Sequence, residues 1–132
     1  MDLISWCSNY IDYRNAFQHD LIEKRQEGNM ITCMYKVKGQ VIYLIEEALE
    51  ESVFDKMPEG AVYIVCLNTK ANISFLTSHW EGFIKNQKLV ILFSNPIVNM
   101  HWPLMPYRHN LVIEPGSLKN GLKSLAESVP LI

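Results

Sequence analysis

The sequence predicts an α/β fold: a single domain on a mixed sheet, with a parallel central pair of strands and helices on both faces. Three observations predict it. Residues 61–67, Ala-Val-Tyr-Ile-Val-Cys-Leu, and 88–94, Lys-Leu-Val-Ile-Leu-Phe-Ser, are continuous apolar runs rather than alternating ones. That composition belongs to strands buried on both faces in the middle of a parallel sheet. The segment between them sets Ile73, Leu76, Trp80, Phe83 and Ile84 on one side of a helix. Strand, helix and strand together form a βαβ unit.

The remaining elements follow in chain order. Leu3, Cys7, Tyr10, Phe17 and Leu21 recur at helical spacing, interrupted by Arg14 and widened by Trp6, Tyr13 and Ile22. One long helix over residues 3–27 is expected, with Lys24 and Arg25 in its last turn and Gly28 as its left-handed stop. Residues 30–37 and 41–46 read as an antiparallel hairpin, because Gly39 supplies the positive φ that a tight reversal needs. Leu49, Val53 and Phe54 give residues 46–57 one narrow apolar side of a short helix, which Pro58-Glu59-Gly60 ends. Residues 97–108 show no regular periodicity, and Leu111, Val112 and Ile113 suggest a short strand over 109–114. Pro115-Gly116 turns the chain, Ser117 is a good N-cap, and Leu118, Leu122, Leu125 and Val129 form the stripe of a last helix.

Composition narrows the class. At 132 residues, 48% hydrophobic and 20% charged, the chain has the makings of one folded domain with a real core. No apolar run reaches the roughly 20 residues of a membrane-spanning helix, and residues 1–6 lack the basic start of a signal peptide. No membrane and a cytoplasmic location are the expectation. Cys7, Cys33 and Cys66 are odd in number and form no CxxC, so they read as small buried apolar groups, and neither a metal nor a cofactor is implied. Residues 1–68 hold 6 basic and 11 acidic side chains, and residues 69–132 hold 6 and 3. The net charge of −2 does not support nucleic acid as a partner, since such domains carry a basic excess.

Order α-β-β-β-α-β over residues 3–95, with Glu46-Glu47 closing the second strand, resembles the core of the restriction-endonuclease-like nucleases. The resemblance implies one or two metal ions, a carboxylate on the second strand and an acid-x-Lys on the third. The third strand here, Val62-Tyr63-Ile64-Val65-Cys66-Leu67-Asn68, has neither acid nor lysine in place, and Lys70 follows it without an acidic partner. Glu46 and Lys70 remain the only residues matching that chemistry.

Three other sets carry candidate chemistry. In open parallel sheets ligands bind beyond the carboxyl ends of the strands, here Asn68, Thr69, Lys70 and Asn95. A helix starting near Thr69 would favour a small anion there, with Arg108 as a further cation. No Gly-rich loop accompanies it, so no P-loop or dinucleotide fingerprint exists. Residues 99–110, Asn-Met-His-Trp-Pro-Leu-Met-Pro-Tyr-Arg-His-Asn, gather aromatics, Met and Arg as interface anchors do, with Trp102, Leu104, Met105 and Tyr107 fitting a homodimer contact. His101 and His109 are the candidate acid–base groups, without a nucleophile or an orienting carboxylate. His19 and His79 read as solvated. Glu47, Glu50 and Glu51 read as a solvated acidic face. The sequence thus points to a domain that acts by binding or self-association. A nuclease-like domain near nucleic acid, intact or degenerate in its catalytic residues, and a small enzyme using the strand-end crevice are the alternatives.

Overall fold

The central βαβ unit is present as the sequence expects. In the computed structural model, which describes residues 1–132, β4 (Val62–Leu67) and β5 (Leu89–Asn95) lie side by side and parallel, in register from Val62↔Leu89 to Leu67↔Ser94. Two helices join them, α3 (Lys70–Ser78) and α4 (Trp80–Phe83), broken at His79. Val62, Ile64, Val65, Cys66, Leu89, Ile91, Leu92 and Phe93 are all buried, which is why both runs lack polar alternation.

The sheet has six strands in the order β1-β2-β3-β4-β5-β6. The hairpin is β2 (Met30–Tyr35) and β3 (Gly39–Ile45), antiparallel and turning through Gly39 at φ 77°. β3 is parallel to β4. Both outer strands depart from the sequence reading. The expected 3–27 helix is α1 (Leu3–Gln18), stopped by His19 in the left-handed region at φ 52°, and then β1 (Leu21–Glu27), antiparallel to β2. Gly28 therefore serves the β1–β2 turn rather than a helix end. The aperiodic stretch contains β6 (Met100–Leu104), antiparallel to β5, and the expected strand at 109–114 is helical, in α5 (Pro106–Val112).

Each face of the sheet has its own core. On one side Leu3, Trp6, Cys7 and Ile11 of α1 pack over Ile31, Cys33, Tyr43, Ile45, Val65 and Leu92. Phe17 and Tyr13, read as part of that apolar stripe, instead face solvent. On the other side α3, α4 and α6 (Leu118–Glu127) bury Leu76, Trp80, Phe83, Leu122 and Ala126 against Ile64, Cys66, Ile91 and Phe93. The short α2 (Val53–Lys56) adds Val53, with Leu49 from the coil before it, so the acidic segment is helical over one turn only. Ser117 precedes α6 without a capping side-chain bond.

The endonuclease-like order is not confirmed. With β1 ahead of the hairpin, the third strand is β3 rather than residues 61–67. β3 runs into Glu46-Glu47-Ala48, which still lacks the lysine of an acid-x-Lys.

Candidate functional site

The carboxyl end of β4 is where the sequence places a ligand crevice, and the chain itself fills it. Asn68 is fully buried. Its Nδ2 donates to the carbonyls of Ala126 and Val129 at 3.1 Å each, and its Oδ1 accepts from Trp102 Nε1 at 2.9 Å. The Asn68 carbonyl accepts from Ile132 N at 3.0 Å. Asn95, beside it, donates to the Pro130 carbonyl at 2.9 Å and accepts from Ile97 N at 3.1 Å. Both amides thus hold residues 126–132 across the strand ends. Thr69 caps α3, its hydroxyl oxygen accepting from Asn72 N at 3.1 Å. Asn72, which sequence reasoning passed over, accepts from Leu49 N and donates to the carbonyls of Glu47 and Leu67, all at 2.8 Å. A buried amide satisfied on every side keeps the Glu47–Leu49 coil seated without a helix.

Lys70 escapes this closure. It begins α3 at the surface, and α6 packs alongside. Between the two helices runs a groove of about 510 Å³. Lys70, Ser74, Thr77 and Ser78 line it from α3, Lys119, Lys123 and Glu127 from α6, and Ile73, Ala126 and Leu131 supply apolar surface. None of the three lysines has a carboxylate within ion-pair distance, whereas Lys24, Arg25, Lys38 and Lys56 each do. The hydroxyls of Thr77 and Ser78 donate back to the carbonyls of Ile73 and Ser74, which leaves their lone pairs to the groove. Lys119 and Lys123 stand one helical turn apart, exposed on the flank of α6 beside the buried Leu122 and Ala126. That pattern was legible in the sequence, but their meeting with Lys70 was not.

The other candidates are scattered. Glu46 pairs with Lys56 at 2.9 Å, a contact that raises the lysine's proton affinity, and it makes no contact with Lys70. Arg108 is exposed on α5 without an acidic partner. His109 sits edge-on to Trp80 with centroids 5.8 Å apart, and its Nε2 is enclosed without a hydrogen bond. His101 lies against Trp6 and Tyr10 on the opposite face of the sheet. No hydrogen bond joins either histidine to Asn68, Lys70 or Asn95. His79, read as solvated, is half-buried and stacked on Phe75 at 3.9 Å, with Glu51 at 3.3 Å from its Nε2. Of the interface set, Trp102 and Leu104 point into the core, with Trp102 stacked on Phe93 at 4.3 Å. Met105 is exposed and Tyr107 half-buried.

No protein-family model matches the chain, and no curated protein or solved structure matches it either. The site is therefore read from its own chemistry. No three His, Cys, Asp or Glu side chains converge as metal ligands do. The cysteines are buried, and desolvation pushes the Cys7 thiol up to about 12 and raises Cys66 well above its ordinary value. Thiols so protonated are poor nucleophiles. No helix is long and apolar enough to cross a membrane. Several unpaired charges line one of these places, the groove at Lys70.

Proposed function

We propose that this chain is a binding domain without chemistry of its own, whose ligand is an anion held between α3 and α6 by Lys70, Lys119 and Lys123. The observation that carries this reading is that three unpaired lysines from two helices line one groove, with Glu127 the only acid among its lining residues. Like charges brought together without counter-ions repel, and an arriving anion relieves that repulsion. With the Asn72 and Ile73 N–H groups bonded to Thr69, the first turn of α3 leaves those of Lys70 and Ala71 to favour negative charge nearby. A phosphate group fits the combination of ammonium and hydroxyl partners.

Titration with inorganic phosphate, followed by amide NMR shifts, tests the reading. Saturable shifts over residues 70–78 and 119–123 are expected, and the double variant Lys119→Ala/Lys123→Ala should abolish them. Shifts that fail to saturate, or that survive the double variant, overturn it. A single-stranded oligonucleotide offers the same phosphates, so its tighter binding in that groove would favour the nucleic-acid alternative over a small anion.

Self-association has its own support. α5 presents Leu111 and Val112 at its C-terminal end at 67% and 80% exposure, with Met105 exposed at its start, apolar surface of the kind that dimers bury. Sedimentation equilibrium decides it: a concentration-independent monomer removes the homodimer, and a dimer lost in Leu111→Ser supports it. A cytoplasmic location belongs to the same reading, supported by three thiols unpaired in disulfides.

A further inference from the structure

A second cleft lies on the opposite face of the sheet, between α1 and the turn joining β5 to β6. Its volume is about 470 Å³, within the range that small-molecule sites occupy. Trp6, Tyr10 and Tyr13 of α1 line it on one side, Asn99 and His101 on the other. Trp6 and Tyr10 are stacked, with centroids 5.4 Å apart and planes within 12°. His101 stands edge-on to both, at 5.4 and 5.2 Å. Trp6 is buried against Tyr10, so the open rings are those of Tyr10 and Tyr13 with His101 beside them, and these suit a flat, π-rich ligand.

The polar groups around this cleft are few and specific. Asn99, held at φ 53°, accepts from Trp6 Nε1 at 2.9 Å through its Oδ1, which leaves its Nδ2 donors free. Arg14, one turn beyond Tyr10, does not line the cleft itself and meets its edge through the Tyr10 hydroxyl. It donates to the Tyr10 hydroxyl at 3.0 Å and the Tyr63 hydroxyl at 3.2 Å, with its guanidinium carbon 5.6 Å from the Tyr10 ring. Both bonds come from Nη1, so Nε and Nη2 are left open. The guanidinium is half-buried and no carboxylate pairs with it, although arginine prefers a planar, bidentate anion.

We propose that this cleft binds a nucleotide, with the base against the Tyr10 and Tyr13 rings, its edge on the Asn99 amide, and the phosphate on Arg14. The proposal is independent of the lysine groove, which faces the other side of the sheet. Aromatic stacking alone is tolerant of the base, so discrimination between bases rests on Asn99. Attraction for the phosphate rests on Arg14, because burial and the neighbouring Arg14 charge both lower the proton affinity of His101.

The test uses the Lys119→Ala/Lys123→Ala protein, so that phosphate bound in the other groove does not enter the readout. AMP, adenosine and inorganic phosphate are titrated by calorimetry and by the indole NMR signal of Trp6. AMP should saturate and shift that signal, with adenosine weaker by roughly ten-fold, the effect of one charge-assisted interaction. Arg14→Gln should bring AMP down to the adenosine level. Tyr13→Ala, a change at an exposed side chain that spares the fold, should weaken AMP and adenosine alike. A short oligonucleotide that saturates the same signal more tightly than AMP also supports the site and makes a strand the source of the nucleotide. No saturable AMP binding at millimolar concentration, or equal affinity for AMP and adenosine, overturns the proposal.

Discussion

Asn68 shows how one side chain ties distant parts of this chain together. Its amide links the end of β4 to Trp102 of β6 and to the backbone beyond α6, in a site closed to water. Replacing it with Ala leaves the Trp102 N–H and the Val129 carbonyl without partners, at about 1–3 kcal/mol for each buried group left unpaired. Asn68→Ala should therefore lose about 3 kcal/mol or more in urea unfolding. Strand-end position alone marked Asn68 and Asn95 as ligand groups, and in the structure their amides hold the chain's own backbone instead. What occupies it lies some sixty residues further along, a pairing that no local pattern in the sequence carries. His101 gives a second prediction at this scale. Burial first, and the Arg14 charge second, lower its proton affinity in the folded state. The unfolded chain then binds the proton more tightly, so this contribution to stability is complete above the ordinary value near 6.5. It falls away as pH drops from there through the folded value. Denaturant unfolding at successive pH values should show a shallower loss below about pH 6.5 for His101→Gln than for the native sequence.

Both edges of the sheet are guarded against pairing with another chain. β1 carries Glu23, Lys24, Arg25 and Glu27, and β6 carries Pro103, whose ring nitrogen has no proton to offer. Pro103→Val restores that donor and should promote concentration-dependent association, measured by light scattering; an unchanged monomer would show that the proline is not the guard. The same devices made the edges hard to read. Glu, Lys, Arg and Gln in residues 21–27 are good helix formers, and pairing with β2 overrides them. His-Trp-Pro-Leu in β6 lacks alternation, because proline interrupts it. Leu111-Val112-Ile113 looked like a strand from its branched side chains, while Pro106 at the first turn of α5 was the helix-start signal that outweighs them. The hairpin, the central βαβ unit and α6 were legible because burial on one or both faces imposes a strict period on the sequence.

At the scale of the whole molecule, the two faces of the sheet differ. One carries a single helix and leaves Tyr10, Tyr13 and Arg14 beside a cleft, and the other is covered by the remaining five helices with lysines between two of them. An excess of basic over acidic side chains in residues 69–132 foreshadowed the second of these, but which lysines meet depends on α3 lying along α6. A ligand that binds only the folded state raises its stability by mass action, so phosphate at ten times its dissociation constant should add about 1.4 kcal/mol. Thermal unfolding with phosphate, and with chloride at matched ionic strength, checks this; equal midpoints count against the groove. The seal over the strand ends has one more consequence, for synthesis. Until residues 126–132 have emerged from the ribosome, the nascent polypeptide has the Asn68 and Asn95 side-chain amides without those backbone partners. A translation product halted before Ala126 should thus be digested by proteases far faster than the finished one, however complete its sheet.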